Sequence, residues 1–219
     1  AYIRRAAERI NDHLILRRGL TVLINQEKGM RVCGEAEDGP SAIQAIESLH
    51  PDIVLLDISL TGINGIELIE QLLKRWPDLP ILVLSRHPET IYAERAVQAG
   101  ARGYVMHQQS SELLMDAIRR VLDGEIYLSE DIAESILRRR FEFGSHGQAH
   151  RLRLLSNREL EVFRLIGQGY QPRQIAEQLN LSVKTVETYR TNIRQKLNLG
   201  NATDLIQFAI RWAGSESVM

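Results

Sequence analysis

The sequence predicts an α/β domain followed by an all-α domain of four helices. Three observations carry that prediction. Short apolar runs alternate with amphipathic stretches of about ten residues from Met30 to Leu122, the pattern of a parallel sheet covered by helices on both faces. One run, Ile53-Val54-Leu55-Leu56, is continuously apolar and ends on Asp57, as a buried parallel strand would that delivers a carboxylate to its carboxyl end. From Leu155 onward the apolar spacing is purely helical, with no strand-like run.

The elements follow in order. Residues 3–10 carry four charges, and their alanines, arginines and glutamate favour helix over strand. Ile3, Ala6, Ala7, Ile10 and Leu14 also share helical spacing, so a helix running towards Gly19 is the expectation. The rival reading is a poor first strand. Met30–Ala36 reads as a strand, Asp38-Gly39-Pro40 as a turn and Ser41–Leu49 as a helix. Ile53–Asp57 is a strand, Gly65–Arg75 a helix closed by Trp76-Pro77, and Ile81–Leu84 a strand. Thr90–Ala99 is a helix closed by Gly100, Gly103–Met106 a strand, and Ser111–Leu122 a helix closed by Gly124.

Ser129–Phe141 reads as a linker helix whose last turn holds Arg138-Arg139-Arg140, suited to the helix dipole. Gly144–His150 is polar and non-periodic, the clearest flexible linker. The expected domains are therefore 1–128, a linker over 129–150, and 151–219. In the last of these, Ser156-Asn157-Arg158-Glu159 matches a capping box whose helix runs to Gly167. Pro172 opens a short helix with Ile175, Ala176 and Leu179 inward. Asn180-Leu181-Ser182 is a turn, Val183–Leu197 a third helix and Ala202–Trp212 a fourth.

Composition narrows the function classes. The 219 residues suit two modest domains. Apolar content of 44% and charged content of 25% are those of an ordinary globular protein, and few Phe or Trp are present, so the cores must be aliphatic. The net charge of −1 conceals an asymmetry. Residues 1–150 hold 17 Lys/Arg against 22 Asp/Glu, and residues 151–219 hold 10 against 6. An acidic front and a basic back suggest a control domain followed by one that faces nucleic acid. The single cysteine, Cys33, excludes a disulfide framework and reads as a small buried residue of a strand. With neither a signal-peptide pattern nor an apolar run of about 18 residues, a cytoplasmic protein without membrane contact is expected.

The third and second helices of the back half form a helix-turn-helix pattern, in which the later helix enters the DNA major groove. Val186, Ile193 and Leu197 fall on its inner face. Lys184, Glu187, Thr188, Tyr189, Arg190, Thr191, Arg194 and Lys196 occupy the rest, a mixture suited to phosphates and base edges. The plain alternative is a solvated amphipathic helix in a bundle.

The segments Leu155–Val162, Gln174–Leu179 and Ser182–Arg190 resemble the LuxR-type helix-turn-helix over about residues 151–213. Residues 12–128 resemble the receiver domain of response regulators, through Gly34-Glu35-Ala36, Pro51–Asp57, Leu82–Ser85 and Ala99–Tyr104. The whole is similar to the NarL/FixJ family. That resemblance implies a flavodoxin-like receiver fold, promoter DNA and a homodimer as partners, and a cognate histidine kinase as a further one. It implies base-facing positions for Glu187, Thr188 and Thr191, and phosphate-facing ones for Lys184, Arg190, Arg194 and Lys196, with Thr185 beside them. It also implies a dimer contact through Leu205, Ile206 and Ala209 of the last helix.

In the receiver, the resemblance makes Asp57 the phosphoacceptor, Ser85 the switch hydroxyl and Tyr104 the aromatic that swings inward. Read alone, Asp57 could equally be a metal ligand or a solvated strand-end residue. Three family features are altered. The acid pair reads Asn11-Asp12, which leaves Asp12 and Asp57 as the carboxylates for Mg²⁺, an ion that wants converging oxygens. His107 stands where a lysine is expected, and an imidazole is mostly neutral at pH 7 with an unperturbed pKa of about 6.5. Thr61 replaces the usual proline. The expectation is a degenerate receiver with weak Mg²⁺ binding, weak or absent phosphorylation, and DNA binding largely independent of it. A conventional phosphorylation switch, and a front domain that docks a partner protein or small ligand, are the alternatives. Asp57-Ile58-Ser59 lacks the second acid of the aspartyl-phosphate hydrolases, so no enzyme is expected.

Overall fold

Five parallel strands make one sheet in a computed structural model that describes residues 5–10, 14–58, 64–141 and 148–216. The chain forms two compact units, Ala1–Arg138 and Arg139–Met219. In the first, the strands are β1 (Arg5–Ile10), β2 (Met30–Ala36), β3 (Ile53–Asp57), β4 (Ile81–Ser85) and β5 (Gly103–Met106), ordered β2-β1-β3-β4-β5. The helices are α1 (Leu14–Gln26), α2 (Gly39–Leu49), α3 (Gly65–Arg75), α4 (Glu89–Gln98), α5 (Ser111–Leu122) and α6 (Glu130–Phe141), the last spanning the division between the units.

Every residue of β3 and β4 is buried, which is why their sequences are continuous rather than alternating. The pleat still sends alternate residues to opposite faces. Ile53, Leu55, Leu82 and Leu84 join Leu20 and Ile24 of α1 and Leu114, Ile118 and Val121 of α5 in one core cluster. On the helices between the strands, Ala42 and Ile46 of α2, Ile69 and Leu72 of α3, and Ala93 and Ala96 of α4 are buried. The helix starts are capped as their residues dictate. Asp38 accepts from Ser41 N at 2.8 Å in a reciprocal capping box, Asn64 from Ile66 N at 2.9 Å, and Ser110 from Leu113 N at 3.3 Å. Each such cap is worth about 1 kcal/mol.

The first strand corrects the sequence expectation. Arg5–Ile10 is a strand, not a helix, and it is paired on both sides. It runs parallel to β2 with a register shift between Ala7 and Glu8, and parallel to β3 with Ile10 opposite Leu56. Helix propensities separate these residue types by only tenths of a kcal/mol each, whereas an inner strand gains ladder hydrogen bonds on two flanks. Context wins here. The strand's carboxyl end thus lies beside that of β3, while Asn11, Asp12 and Thr61 fall outside the described residues. Cys33 is also corrected in part: it is half-buried in β2 rather than buried.

The second unit contains α7 (Gln148–Arg153), α8 (Asn157–Gly167), α9 (Pro172–Leu179), α10 (Val183–Lys196) and α11 (Ala202–Glu216). The four expected helices are α8 to α11, and the linker expected up to His150 gives way at Gln148 to a further short helix, α7, that precedes them. Polar composition hid it; Leu152, which it buries completely, is the apolar anchor. Phe163 is fully buried and packs on Phe208 and Trp212, with ring centroids 5.5 and 5.4 Å away. Gly167 permits this approach, since a Cβ there would lie 2.5 Å from the Ala209 carbonyl oxygen. Leu205 and Ala209 are themselves buried within this unit, so among the residues expected at a dimer contact only Ile206 is exposed, with Ile210 beside it. Among the described residues, no helix is long and apolar enough to cross a membrane.

Candidate functional site

Asp57 sits at the carboxyl end of β3 with 1% of its surface exposed. Gly65 lies close against the next residue, Ile58, since a Cβ on Gly65 would meet the Ile58 backbone at 2.4 Å. Asn64, buried beside it, starts α3. Ser85 ends β4 one strand away, fully buried, and its Oγ accepts from His87 N at 2.9 Å. His107 follows β5, tied to β4 by its N–H donating to the Ser85 carbonyl at 2.9 Å. Its Nε2 lies 3.5 Å from Asp57 Oδ2. The sheet register thus brings Asp57, Ser85 and His107 to one edge, where ligands bind open α/β sheets.

Tyr104 is buried completely within β5, and its hydroxyl donates to the His87 carbonyl at 2.8 Å. Burial pushes its phenol well above the ordinary tyrosine value, so the ring is a neutral hydrogen-bond donor. The ring is thereby tied to the segment that follows Ser85. His87 in turn stacks on Tyr92 of α4, with centroids 4.9 Å apart. The described residues include no group of three or more His, Cys, Asp or Glu placed to hold a metal. Around Asp57 they offer one carboxylate and an imidazole, which is not by itself a donor set for Mg²⁺, and Asp12 is outside them.

In the second unit, Ser182 caps α10 by accepting from Thr185 N at 3.0 Å. Val186, Ile193 and the capping Leu197 face inward as expected. Lys184, Glu187, Thr188, Thr191 and Lys196 are exposed, while Thr185, Arg190 and Arg194 are half-buried. Arg190 pairs with Glu187 at 2.9 Å along the helix. The hydroxyls of Thr188 and Thr191 donate to the carbonyls of Lys184 and Glu187, both at 3.0 Å. Lys196 has a stronger commitment: its Nζ donates to Glu159 Oε2 at 2.6 Å. Glu159 is 3% exposed and also accepts from Ser156 N at 2.7 Å. Burial raises its pKa, but the hydrogen bonds from Lys196 and Ser156 outweigh that and hold it below the usual carboxylate range.

A parallel sheet with an acid at the edge of its central strand, joined to a helix-turn-helix, defines a response regulator that acts on transcription. The chain belongs to that family. Residues 9–119 match the response regulator receiver domain, and residues 153–209 match the bacterial regulatory proteins of the luxR family. It is 32% identical to the transcriptional regulatory protein DegU of Brevibacillus brevis, covering 92% of this chain and 91% of that one. It is 34% identical to the oxygen regulatory protein NreC of Staphylococcus carnosus, covering 92% and 94%. RcsB from Salmonella enterica serovar Typhimurium, solved on promoter rprA with the phosphomimetic BeF3-, shares the fold with a TM-score of 0.67 at 23% identity, over 94% of this chain and 98% of that one. A LuxR-family response regulator from Aurantimonas is 34% identical with a TM-score of 0.58, over 63% of this chain and 98% of that one. This is the NarL/FixJ type of response regulator, a DNA-binding regulator of two-component design.

Proposed function

We propose that this regulator has a degenerate receiver, in which phosphorylation of Asp57 is weak or absent and promoter binding is largely independent of it. The observation that carries this reading is His107 Nε2 at 3.5 Å from Asp57 Oδ2, in the place where the family resemblance calls for a lysine. A lysine ammonium is a compact full charge on a long flexible stem, able to follow a phosphoryl oxygen. An imidazole is shorter and rigid, so it stabilises the aspartyl phosphate less. Asn11 in place of an acid supports the same reading through the metal, since fewer carboxylates hold Mg²⁺ more weakly. With a phosphoryl group on Asp57, Ser85 Oγ is the hydroxyl left to bind it.

On the DNA side, Glu187, Thr188 and Thr191 read base edges, and Lys184, Thr185, Arg190 and Arg194 hold phosphates. Lys196 was expected among the latter, and its exposed stem leaves it within that group, although its ammonium is engaged by Glu159. The chain acts as a homodimer; Ile206 and Ile210, exposed one turn apart on α11, are the surface offered for it. A second reading, the conventional switch driven by a cognate histidine kinase, is favoured by Asp57, Ser85 and Tyr104, all in the family's positions. Incubation with a small phosphodonor and Mg²⁺, followed by intact-mass measurement, separates the two. A degenerate receiver gives a minor phosphorylated fraction; stoichiometric labelling that also tightens DNA binding establishes the conventional switch instead.

A further inference from the structure

The last turn of α10 ends on Leu197, a residue 1% exposed, so its carbonyl is shut off from water and needs a protein donor. Arg151 of α7 supplies it, its guanidinium donating through Nη2 to the Leu197 carbonyl oxygen. The same guanidinium lies over the ring of Phe208 in α11, 5.0 Å from the centroid. One side chain therefore links the first helix of this unit to the carboxyl end of the recognition helix and to the helix behind it. A cation is also the favoured charge at a helix carboxyl end, and the aromatic face holds its plane in place. We infer that Arg151 is a positioning residue for DNA recognition: it sets the pose of α10 from α7 without touching DNA itself.

Leverage makes this matter. Leu197 and Lys184 are about 20 Å apart along the helix, so a tilt of about 3° at the anchored end moves the reading residues by about 1 Å. That is enough to break base-edge hydrogen bonds while leaving phosphate attraction nearly intact. The neighbouring Lys196–Glu159 pair fixes the same turn to α8, but it cannot satisfy the Leu197 carbonyl. Arg151 thus both closes the end of α10 and ties it to α7, which precedes the rest of this unit's helices.

The inference rests on α10 being the helix that reads DNA. The test uses full-length chain, a duplex selected by the wild-type protein from a random-sequence pool, and a scrambled duplex of the same composition. R151M keeps the stem and loses the donors; R151K keeps the charge but not the planar fork. The expected result is a loss of about tenfold for R151M on the selected duplex, with scrambled-duplex binding and the salt slope unchanged, and R151K in between. Unchanged R151M affinity for the selected duplex overturns the inference. So does an equal loss on both duplexes with a salt slope reduced by about 0.9, which makes Arg151 a phosphate contact. An equal loss on both that follows a lowered Tm reduces it to a purely structural role. Failure of the wild type itself to select any sequence overturns the reading of α10, a result distinguishable from all of these.

Discussion

Asp57 and His107 meet at 3.5 Å because β3 and β5 end at the same edge of the sheet, and the chemistry available there depends on what the second residue is. Replacing the imidazole by an ammonium tests this at a single position: His107→Lys is expected to raise the phosphodonor-labelled fraction of Asp57 several-fold, measured by intact mass. No increase would show that the imidazole is not what limits the pocket. At Glu159 the prediction concerns pH. Its pKa is lowered in the folded state, so its stabilisation is complete above the ordinary glutamate range and disappears as pH falls through the folded value. Glu159→Gln should cost about 1–2 kcal/mol near neutrality, seen as a lower Tm of the second unit, with the gap to wild type closing in acid. A gap that persists unchanged to low pH would assign the cost to packing. The sequence disclosed Asp57, Ser85, Tyr104 and His107 because each stands at a strand end or in a short motif. It did not disclose the Arg151–Leu197 contact, made by residues 46 apart whose meeting depends on tertiary packing alone.

At the scale of elements, legibility followed burial. The strands β3 and β4, buried on both faces, have nothing but apolar residues before their terminal Asp57 and Ser85, and read directly as strands. The first strand has no such signature. Its alanines and charged residues carry a helical preference, and only the two flanking partners, β2 and β3, reveal why the segment is extended. Amide exchange distinguishes the two conformations: as an inner strand, β1 should exchange only with global opening of the first unit, whereas fast local exchange over residues 5–10 would contradict its place in the ladder. The short α7 was hidden for a different reason, because four polar and basic residues and one alanine around a single buried leucine give too little periodicity to register. Helix packing in the second unit offers a sharper test. Gly167→Ala puts a Cβ 2.5 Å from the Ala209 carbonyl oxygen, so α8 and α11 must separate. The expected cost is about 1–3 kcal/mol, read as a lower Tm with the first unit unaffected. A neutral substitution would mean that the two helices are less closely seated.

For the whole molecule, the acidic front and basic back fall in different units, one carrying the Asp57 edge of the sheet and the other the helix-turn-helix. Membership of the response regulators fixes that division, and the distinctive claim is the weakened dependence of the second unit on the chemistry of the first. The most direct measurement is a gel-shift titration of the full-length chain against its selected duplex, at fixed salt and Mg²⁺, with and without phosphodonor. Salt must be stated and constant, because phosphate contacts make affinity fall steeply with it. The predicted result is superimposable binding curves, with Asp57→Asn matching wild type in both conditions. A phosphodonor-dependent tightening of tenfold or more that Asp57→Asn abolishes would contradict a degenerate receiver.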